Sequence, residues 1–202
     1  MSVSSASLDF LSPTTARDGA IARSPMERMA RAAGARFEVR DGWNVAVDYA
    51  SPPAETGWAD VSHLRKLELQ GGGDFGTALR KQDAWLCPLT RSRSLLIGGS
   101  SSPPDGALDV TTCYAALTIF GPHAREVIAR FCALDLRPLL APPGSFRPGS
   151  IARQPGMILV EAPDRFLLLF GWALGEYLWT VVEDAGRHLG ARPAAAEAIP
   201  DA

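Results

Sequence analysis

Apolar and polar residues alternate along much of this chain, which is the pattern of β-strands that bury one face. The segments FEVR and WNVAVDY flank Asp41-Gly42, a dipeptide typical of two-residue hairpin turns, and they predict a hairpin. A second hairpin is predicted where MILVEA and RFLLLF flank Pro163-Asp164. Four further segments predict strands: WADVSHLRKLELQ, AWLCPL, SLLIG and ALDVTTCYAALTIF.

Helix signals occur at three places. The first helix is predicted after Ser24, an N-cap residue before Pro25, with Glu27 placed for a capping box and Gly34 as a stop. The second begins at Pro122, and the third lies near the end of the sequence. Their apolar positions recur at helical spacing: Val127, Ile128, Phe131 and Leu134 in the second helix, and Leu174, Tyr177, Leu178, Val181 and Val182 in the third.

Two parts of the sequence resemble each other. Asp60-Val61-Ser62 followed by KLELQG matches Asp109-Val110-Thr111 followed by ALTIFG, and WLCPLTRSRSLLIGG further on matches MILVEAPDRFLLLFG. We therefore predict an α+β fold of duplicated ferredoxin-like units, with mixed or antiparallel sheets and helices on one face. In the first copy we expect the helix after the long strand to be reduced to residues 77–81. Chance similarity between short apolar strands is the alternative to duplication.

The two ends of the sequence differ from its middle in composition. Residues 1–23 and 194–202 are rich in Ser, Thr, Ala and Pro and lack apolar periodicity, so both are predicted to be disordered tails. Between the tails we predict two α+β units, at residues 24–99 and 100–193. The segment GGSSSPPDG breaks the strand pattern between them and is predicted to be the joining loop.

Composition and charge exclude several classes of function. The 202 residues are 47% hydrophobic and 21% charged, as in an ordinary globular protein, and the formal net charge of -2 offers no basic surface to nucleic acid. No apolar run reaches the roughly 20 residues of a membrane helix, and no secretory signal is apparent, so we expect a cytoplasmic protein. Cys87, Cys113 and Cys132 are scattered, which predicts reduced thiols and, with three dispersed histidines, no metal site.

A glycine-rich motif between predicted strands fails as a dinucleotide site. Residues 71–76 formally satisfy G-x-G-x-x-G, but no long helix follows to receive a pyrophosphate and no acid follows for a ribose. A loop in place of a lost helix is the simpler interpretation. No Walker-type lysine or nucleophile-elbow serine is present, and we expect no nicotinamide or flavin on this chain.

His63 is the main candidate for chemistry, because an imidazole can donate a hydrogen bond or carry a proton. A lone histidine on a strand is, however, more often a packed or surface residue. On one continuous strand, Asp60 and Ser62 would lie on one face and His63 on the other, so the three would not converge. Lys66 and Glu68 alternate with leucines, which predicts a solvated sheet face.

The order of these segments resembles a known superfamily. RSPMERMARAAGARFEVRDGWNVAVDYA followed by GWADVSHLRKLELQG is similar to the opening of glycine-cleavage T-proteins, which are tetrahydrofolate-dependent aminomethyltransferases. DVTTCYAALTIFGPHAREVIARFCALDLRP and RFLLLFGWALGEYLW are similar to the gamma subunit of heterotetrameric sarcosine oxidase, a short relative in the same superfamily. The resemblance spans about residues 24–193 and implies T-protein-like α+β units.

The departures from the T-protein pattern bear on activity. In T-proteins an Asp-Asp-Leu segment and a Tyr-Thr-Gly-Glu segment supply carboxylates that hold the pterin and assist methylene transfer. The corresponding stretches here, AWLCPLT and QPGMILVEAPDRF, lack both carboxylates at the expected places, and the last T-protein domain would follow where this sequence ends. The resemblance therefore implies no catalytic residue, and it leaves Tyr49, Ser62 and His63 as cleft residues for folate.

Three functions are compatible with this resemblance. The first is a non-catalytic, sarcosine-oxidase-gamma-like subunit of a folate-linked demethylating oxidase complex, whose larger subunits hold flavin and folate. The second is a free-standing tetrahydrofolate-dependent aminomethyl or methyl transferase, or a folate-binding protein. The third is a self-associating structural protein without a ligand. We expect no tightly bound cofactor on this chain, and tetrahydrofolate is its one candidate ligand.

Overall fold

The computed structural model of the chain describes residues 19–52, 54–99 and 102–200. Within these residues the helices are α1 (Glu27–Ala32), α2 (Ala124–Ala129) and α3 (Gly175–Gly186). The strands are β1 (Ala22–Arg23), β2 (Ala35–Arg40), β3 (Trp43–Tyr49), β4 (Gly57–Asp60), β5 (Lys66–Gln70), β6 (Leu79–Lys81), β7 (Ala84–Pro88), β8 (Arg93–Gly98), β9 (Leu108–Asp109), β10 (Tyr114–Phe120), β11 (Phe146–Ile151), β12 (Gln154–Ala162), β13 (Arg165–Gly171) and β14 (Arg192–Pro193).

The described strands form three sheets. The smallest has the order β1-β3-β2, the second β6-β7-β8-β5-β9, and the third β11-β12-β13-β10-β4-β14. Neighbouring strands are antiparallel except that β1 runs parallel to β3 and β14 runs parallel to β4. The α+β class with mixed and antiparallel sheets is thus confirmed, as are the hairpins β2–β3 and β12–β13.

The six-stranded sheet is buried on both faces. On one face, Leu117 and Ile119 pack with residues of α2 and α3, and Trp58 meets Trp179 edge to face at 5.7 Å. On the other face, Ala116 packs against the five-stranded sheet. Because both faces are covered, β10 and β13 read as continuous apolar runs rather than as alternating strands.

The five-stranded and six-stranded sheets have matching strand orders. Counted from one edge of each sheet, the order β6-β7-β8-β5-β9 corresponds strand by strand to the order β11-β12-β13-β10-β4. This correspondence favours the predicted duplication, which remains a prediction. The short helix expected at residues 77–81 is wrong, because Leu79–Lys81 pairs with β7 as an edge strand.

Three strand predictions are corrected by tertiary contacts. The predicted strand WADVSHLRKLELQ divides into β4 and β5, which belong to different sheets, and ALDVTTCYAALTIF divides in the same way into β9 and β10. β11 is missing from the predicted elements because Pro148 and Gly149 interrupt its pattern. Proline is tolerated there because β11 lies at the edge of its sheet.

Parts of both predicted tails are folded. Ala22–Arg23 forms β1 beside β3, and the Ala194 N–H donates to the Trp58 carbonyl at 2.8 Å while Ile199 packs against the core between the large sheets. These residues are ordered by covering apolar surface, which corrects the predicted tails at 22–23 and 194–200. Residues 1–18 and 201–202 lie outside the described residues, and the unit boundaries at 24–99 and 100–193 remain predictions.

Among the residues that the structure describes, no helix is long and apolar enough to cross a bilayer. The longest, α3, has 12 residues and buries Leu178, Trp179 and Val182 against the six-stranded sheet. The helix near the start of the chain also forms as predicted, although Ser24 accepts from the Met26 N–H and Glu27 pairs with Arg23 and Arg31 instead of closing a capping box.

Candidate functional site

A cavity of about 780 Å³ opens between the tip of the β2–β3 hairpin and the segment that joins β4 to β5. Its volume lies in the range typical of small-molecule sites. A second cavity of about 280 Å³ shares Asp41, Trp43 and His63 with it, so His63 lies between the two. The first cavity is lined by Asp41, Trp43, His63, Leu64, Arg65, Gly98, Gly99, Asp109, Thr111 and Thr112.

The wall that carries His63 is made by a turn, not by a strand. The Asp60 carboxylate accepts the Ser62 N–H at 3.0 Å, and the Leu64 N–H donates to the Val61 carbonyl at 3.0 Å. The chain therefore leaves the six-stranded sheet at Asp60 and enters the five-stranded sheet at Lys66. This break overturns the predicted continuous strand and is the reason that His63 reaches the cavity.

We call Asp60-Val61-Ser62 the first arm, and it is anchored on β10. Val61 N–H donates to the Ala116 carbonyl at 2.9 Å, and Ser62 Oγ accepts the Ala116 N–H at 3.1 Å. Ser62 is fully buried and its hydroxyl also lies 3.4 Å from the Ala116 carbonyl. The Ser62 hydroxyl is thus committed to the fold and is not available to a ligand.

The second arm, Asp109-Val110-Thr111, makes the same contacts on β5. The Asp109 carboxylate accepts the Thr111 N–H at 2.8 Å, and the Val110 N–H donates to the Lys66 carbonyl at 2.9 Å. Thr111 Oγ1 accepts the Lys66 N–H at 3.0 Å. Each arm therefore continues a strand pairing of its own sheet, the first arm along β10 in the six-stranded sheet and the second arm along β5 in the five-stranded sheet.

Lys66 lies under the cavity with 0% of its surface exposed, which contradicts the solvated face predicted for it. Its Nζ donates to the carbonyls of Ser62 and Leu64 at 2.9 and 2.7 Å. Burial lowers the pKa of Lys66 to about 8, while the carboxylates of Asp60 and Asp109 act in the opposite direction. The residue is buried because the second arm covers its backbone.

His63 is partly buried, and its charge depends on several neighbours. Burial lowers the pKa of His63, Asp60 and Asp41 raise it, and Lys66 and Arg40 lower it further. The imidazole is therefore neutral near pH 7, with one nitrogen that donates and one that accepts a hydrogen bond. Burial also raises the pKa of Asp60, against hydrogen bonds from Ser24 and Ser62.

Of the three cleft residues that the resemblance implies, only His63 lines the cavity. Tyr49 is 8% exposed and packs in the core under the helices, and its hydroxyl has no hydrogen-bond partner among the described residues. Burial raises the pKa of Tyr49 well above its usual range. The Ser62 hydroxyl is engaged with the backbone of Ala116, as part of the first arm. The structure therefore does not bring the three together around one ligand position.

Two carboxylates that the sequence analysis did not assign to a site, Asp41 and Asp109, line the cavity together with His63. Asp41 was recognised only as a turn residue, and it does occupy a left-handed conformation, with φ of 47°, before Gly42. Asp109 appeared only in the internal match. The match with Asp60 was the signal that both aspartates begin equivalent turns beside the same cavity.

The cavity is suited to a small polar molecule with a flat, apolar part. Trp43 is held by Trp172, whose ring lies 6.1 Å away, and offers an aromatic face, while His63 and the two aspartates offer hydrogen bonds. No group of three His, Cys, Asp or Glu side chains within the described ranges is close enough to hold a metal ion. Cys87, Cys113 and Cys132 are free thiols.

Comparison with known proteins shows likeness in structure only. No protein-family model matches the chain, and no curated protein matches it by sequence. A chain of heterotetrameric sarcosine oxidase from Corynebacterium sp. U-96, solved with pyrrole 2-carboxylate, is similar with a TM-score of 0.66 and 17% identity, over 84% of this chain and 96% of that one. Glycine cleavage system aminomethyltransferase T from Bartonella henselae is similar with a TM-score of 0.66 and 15% identity.

The second alignment covers 87% of this chain and 60% of the aminomethyltransferase, so the present chain spans well under two thirds of that protein. At these identities the likeness establishes the fold and leaves activity open. The chain therefore shares the fold of these two solved structures, which supports at the level of fold the resemblance of its sequence to glycine-cleavage T-proteins.

Proposed function

We propose that this protein is a non-catalytic subunit, similar to the gamma subunit of sarcosine oxidase, in a folate-linked demethylating oxidase complex. The observation that carries the proposal is the extent of the two alignments, 96% of the sarcosine oxidase chain against 60% of the aminomethyltransferase. The sarcosine oxidase chain is thus matched almost completely. Its larger partners would hold the flavin and the folate.

The use of polar groups around the cavity supports a structural role. Ser62, Thr111 and Lys66 direct their hydrogen bonds to the backbone, and Asp109 accepts from Thr111 within its own turn. A catalytic site needs a positioned acid or base that is free to meet a substrate. Here most of the candidate groups hold the arms against β10 and β5 or fix the turns beside the cavity.

An exposed apolar surface offers a place for a partner subunit. Leu139 is 96% exposed, Leu140 is 52% exposed and Phe75 is 57% exposed. Arg147 ties their loops together, because its guanidinium donates to the Gly76 carbonyl at 2.5 Å and to the Leu140 carbonyl at 3.1 Å. Large apolar side chains held outward by a fixed loop are typical of protein interfaces.

Co-purification tests this proposal. A tagged chain isolated gently from its native cells should bring down larger subunits, with flavin absorbance and oxidation of an N-methyl amine in the isolated complex. The double variant Leu139→Asp, Leu140→Asp should lose the partners, whereas Leu108→Asp, at an exposed leucine elsewhere, should keep them. Recovery of the wild-type chain alone at its native concentration would reject the proposal.

The cavity itself favours a second candidate, a free-standing tetrahydrofolate-dependent aminomethyl or methyl transferase or a folate-binding protein. Its volume of about 780 Å³ and its His63, Asp41 and Asp109 side chains suit a polar heterocycle. Calorimetric titration with tetrahydrofolate separates the two functions. Tight binding that is lost in His63→Ala, but kept in the control His123→Ala, would favour the transferase; absence of heat would favour the subunit.

A further inference from the structure

We propose that Lys66 is the positioning residue of the cavity, because its side chain folds the turn that presents His63 and sets the charge next to the imidazole. The inference does not depend on the proposed function. It concerns how the site is built, whichever ligand or partner meets it. It also gives a role to a fully buried ionisable group that the fold alone does not require.

The contacts of the Lys66 side chain bracket His63. Nζ donates to the Ser62 carbonyl at 2.9 Å and to the Leu64 carbonyl at 2.7 Å, the residues immediately before and after His63. Two carbonyls held on one nitrogen fix the peptide planes on both sides of the histidine. Lys66 therefore fixes the backbone on both sides of His63, and with it the direction of the His63 side chain.

The backbone of Lys66 is itself fixed by the second arm. Its N–H donates to Thr111 Oγ1 and its carbonyl accepts from Val110, so Lys66 cannot move without breaking the pairing between β5 and the second arm. The equivalent position on the other sheet is Ala116, which receives the first arm in the same way but has no side chain that reaches a turn. Of the two equivalent positions, Lys66 on β5 thus carries an ammonium and Ala116 on β10 does not.

The choice of lysine is notable in this sequence. Of the 20 basic residues, two are lysines, Lys66 and Lys81. A guanidinium stays charged at any accessible pH, whereas an amine can lose its proton. After that loss the amine keeps two N–H donors, enough for the Ser62 and Leu64 carbonyls, so the turn persists while the charge beneath it disappears.

The charged groups that face this position come from several elements. Asp60 on β4 and Asp109 on β9 act on Lys66, and Asp60, Arg40 and Asp41 act with Lys66 on His63. The two carboxylates stabilise the ammonium and burial disfavours it, and burial prevails. Lys66 is consequently able to change its charge near pH 8 at a fixed position, and the imidazole of His63 should register that change.

Nuclear magnetic resonance on the whole chain tests this inference. Lysine labelled with 13C gives two side-chain signals, one from buried Lys66 and one from exposed Lys81, and the three histidines give three resolvable ring signals. In the wild type, the His63 ring signal should show a second step at the pH where the Lys66 signal titrates. In Lys66→Met that step should vanish and the His63 titration should move to higher pH, while Lys81→Met should change neither.

The outcomes separate a positioning role from simple packing. Folded Lys66→Met whose His63 titration matches the wild type would overturn the inference, because a packing role changes stability without changing the imidazole. If Lys66→Met does not fold, the wild-type titration decides alone. A Lys66 step without a matching His63 step rejects the inference, and coincident steps support it.

Discussion

The two arms, Asp60-Val61-Ser62 and Asp109-Val110-Thr111, make the same backbone hydrogen bonds but have different neighbours. Each continues a strand pairing within its own large sheet, the first arm along β10 and the second along β5, with Asp60 opposite Leu117 and Asp109 opposite Leu67. Both arms end in a buried hydroxyl residue, Ser62 or Thr111, but they begin differently: Asp60 is half-buried, whereas Asp109 is exposed and lines the cavity. The shared hydrogen bonds hold the fold, and the differences between the arms create the candidate site.

The residues that receive the arms differ most. Lys66 and Ala116 are both fully buried and both accept an arm through their backbone, yet one carries an ammonium and the other a methyl group. The polar chemistry of the cavity therefore comes from the side of β5. Substitutions that exchange the side chains of the two halves test how far residues 66 and 116 are equivalent.

The largest effect should follow from giving Ala116 the side chain of its counterpart. Ala116→Lys places an ammonium in the apolar core between the two large sheets, among buried hydrophobic side chains. We expect a loss of about 3–5 kcal/mol in the free energy of unfolding, or failure to fold. Urea denaturation measures it, with Ala133→Lys at an exposed alanine as the control. Full tolerance at residue 116 would mean that the two positions are interchangeable.

The next effect concerns pH. Burial lowers the pKa of Lys66 to about 8. Between pH 8 and about 10.4 the unfolded lysine keeps a proton that the folded one has lost, so stability rises with pH by about 1 kcal/mol per unit in that window. Burial also raises the pKa of the Cys87 thiol to about 12, which lowers stability above about pH 8.5, where an unfolded thiol ionises.

Comparison with Lys66→Met isolates the lysine contribution, because both proteins contain Cys87. The free energy of unfolding of the wild type, minus that of the variant, should increase across this window by about 2–3 kcal/mol in total. Denaturant titrations at pH 7.5, 8.5, 9.5 and 10.5 measure it. A difference that stays constant over these pH values would contradict a lysine that titrates inside the fold.

Removal of one hydroxyl from each arm compares their strengths. Ser62→Ala leaves the buried Ala116 N–H without an acceptor, and Thr111→Val does the same to the Lys66 N–H. We expect each to cost about 1–3 kcal/mol, with the larger loss at Ser62, whose hydroxyl also lies within reach of the Ala116 carbonyl. Thermal and urea unfolding measure both. A negligible cost at either position would show that the hydroxyl of that arm does not stabilise its strand pairing.

The smallest effect should come from Glu68 on β5, which is half-buried. Glu68 pairs with Arg93 at 3.1 Å on the surface, and its counterpart in the sequence match is Thr118. Glu68→Thr makes the two strands more alike and should cost less than about 1 kcal/mol, because surface ion pairs contribute little. The reduction should disappear in high salt. A large loss would indicate that Glu68 has a role beyond the ion pair.

The hairpins and the fold class were predictable because their signals are local. Asp41-Gly42 and the alternation around it are sufficient for β2–β3, and the apolar runs of β10 and β13 already indicate buried strands. The break between β4 and β5 was not predictable in this way. Val61 to Arg65 contain no glycine or proline, and the turn depends on contacts outside it: Ala116 pairs with the first arm, and Lys66 Nζ binds the Ser62 and Leu64 carbonyls.

The candidate site was predictable only where a residue type stood out by its chemistry. His63 was identified for its imidazole, but its position in the cavity depends on that unforeseen turn. Lys66 looked solvated because alternation places it with Glu68, and it is buried by an arm 45 residues away in the sequence. Tyr49 was assigned to the cleft by resemblance and lies instead in the core beneath α1.

The distance in sequence between the partners of each arm has a consequence for folding. The first arm binds Ala116, 54 residues further on, and the second arm reaches back 45 residues to Lys66. During synthesis the first arm therefore has no partner until β10 has left the ribosome, and β4 has no place in the six-stranded sheet before then. Contacts this far apart close large loops and slow folding, so the nascent chain exposes its apolar strands for longer than a protein with local pairing would.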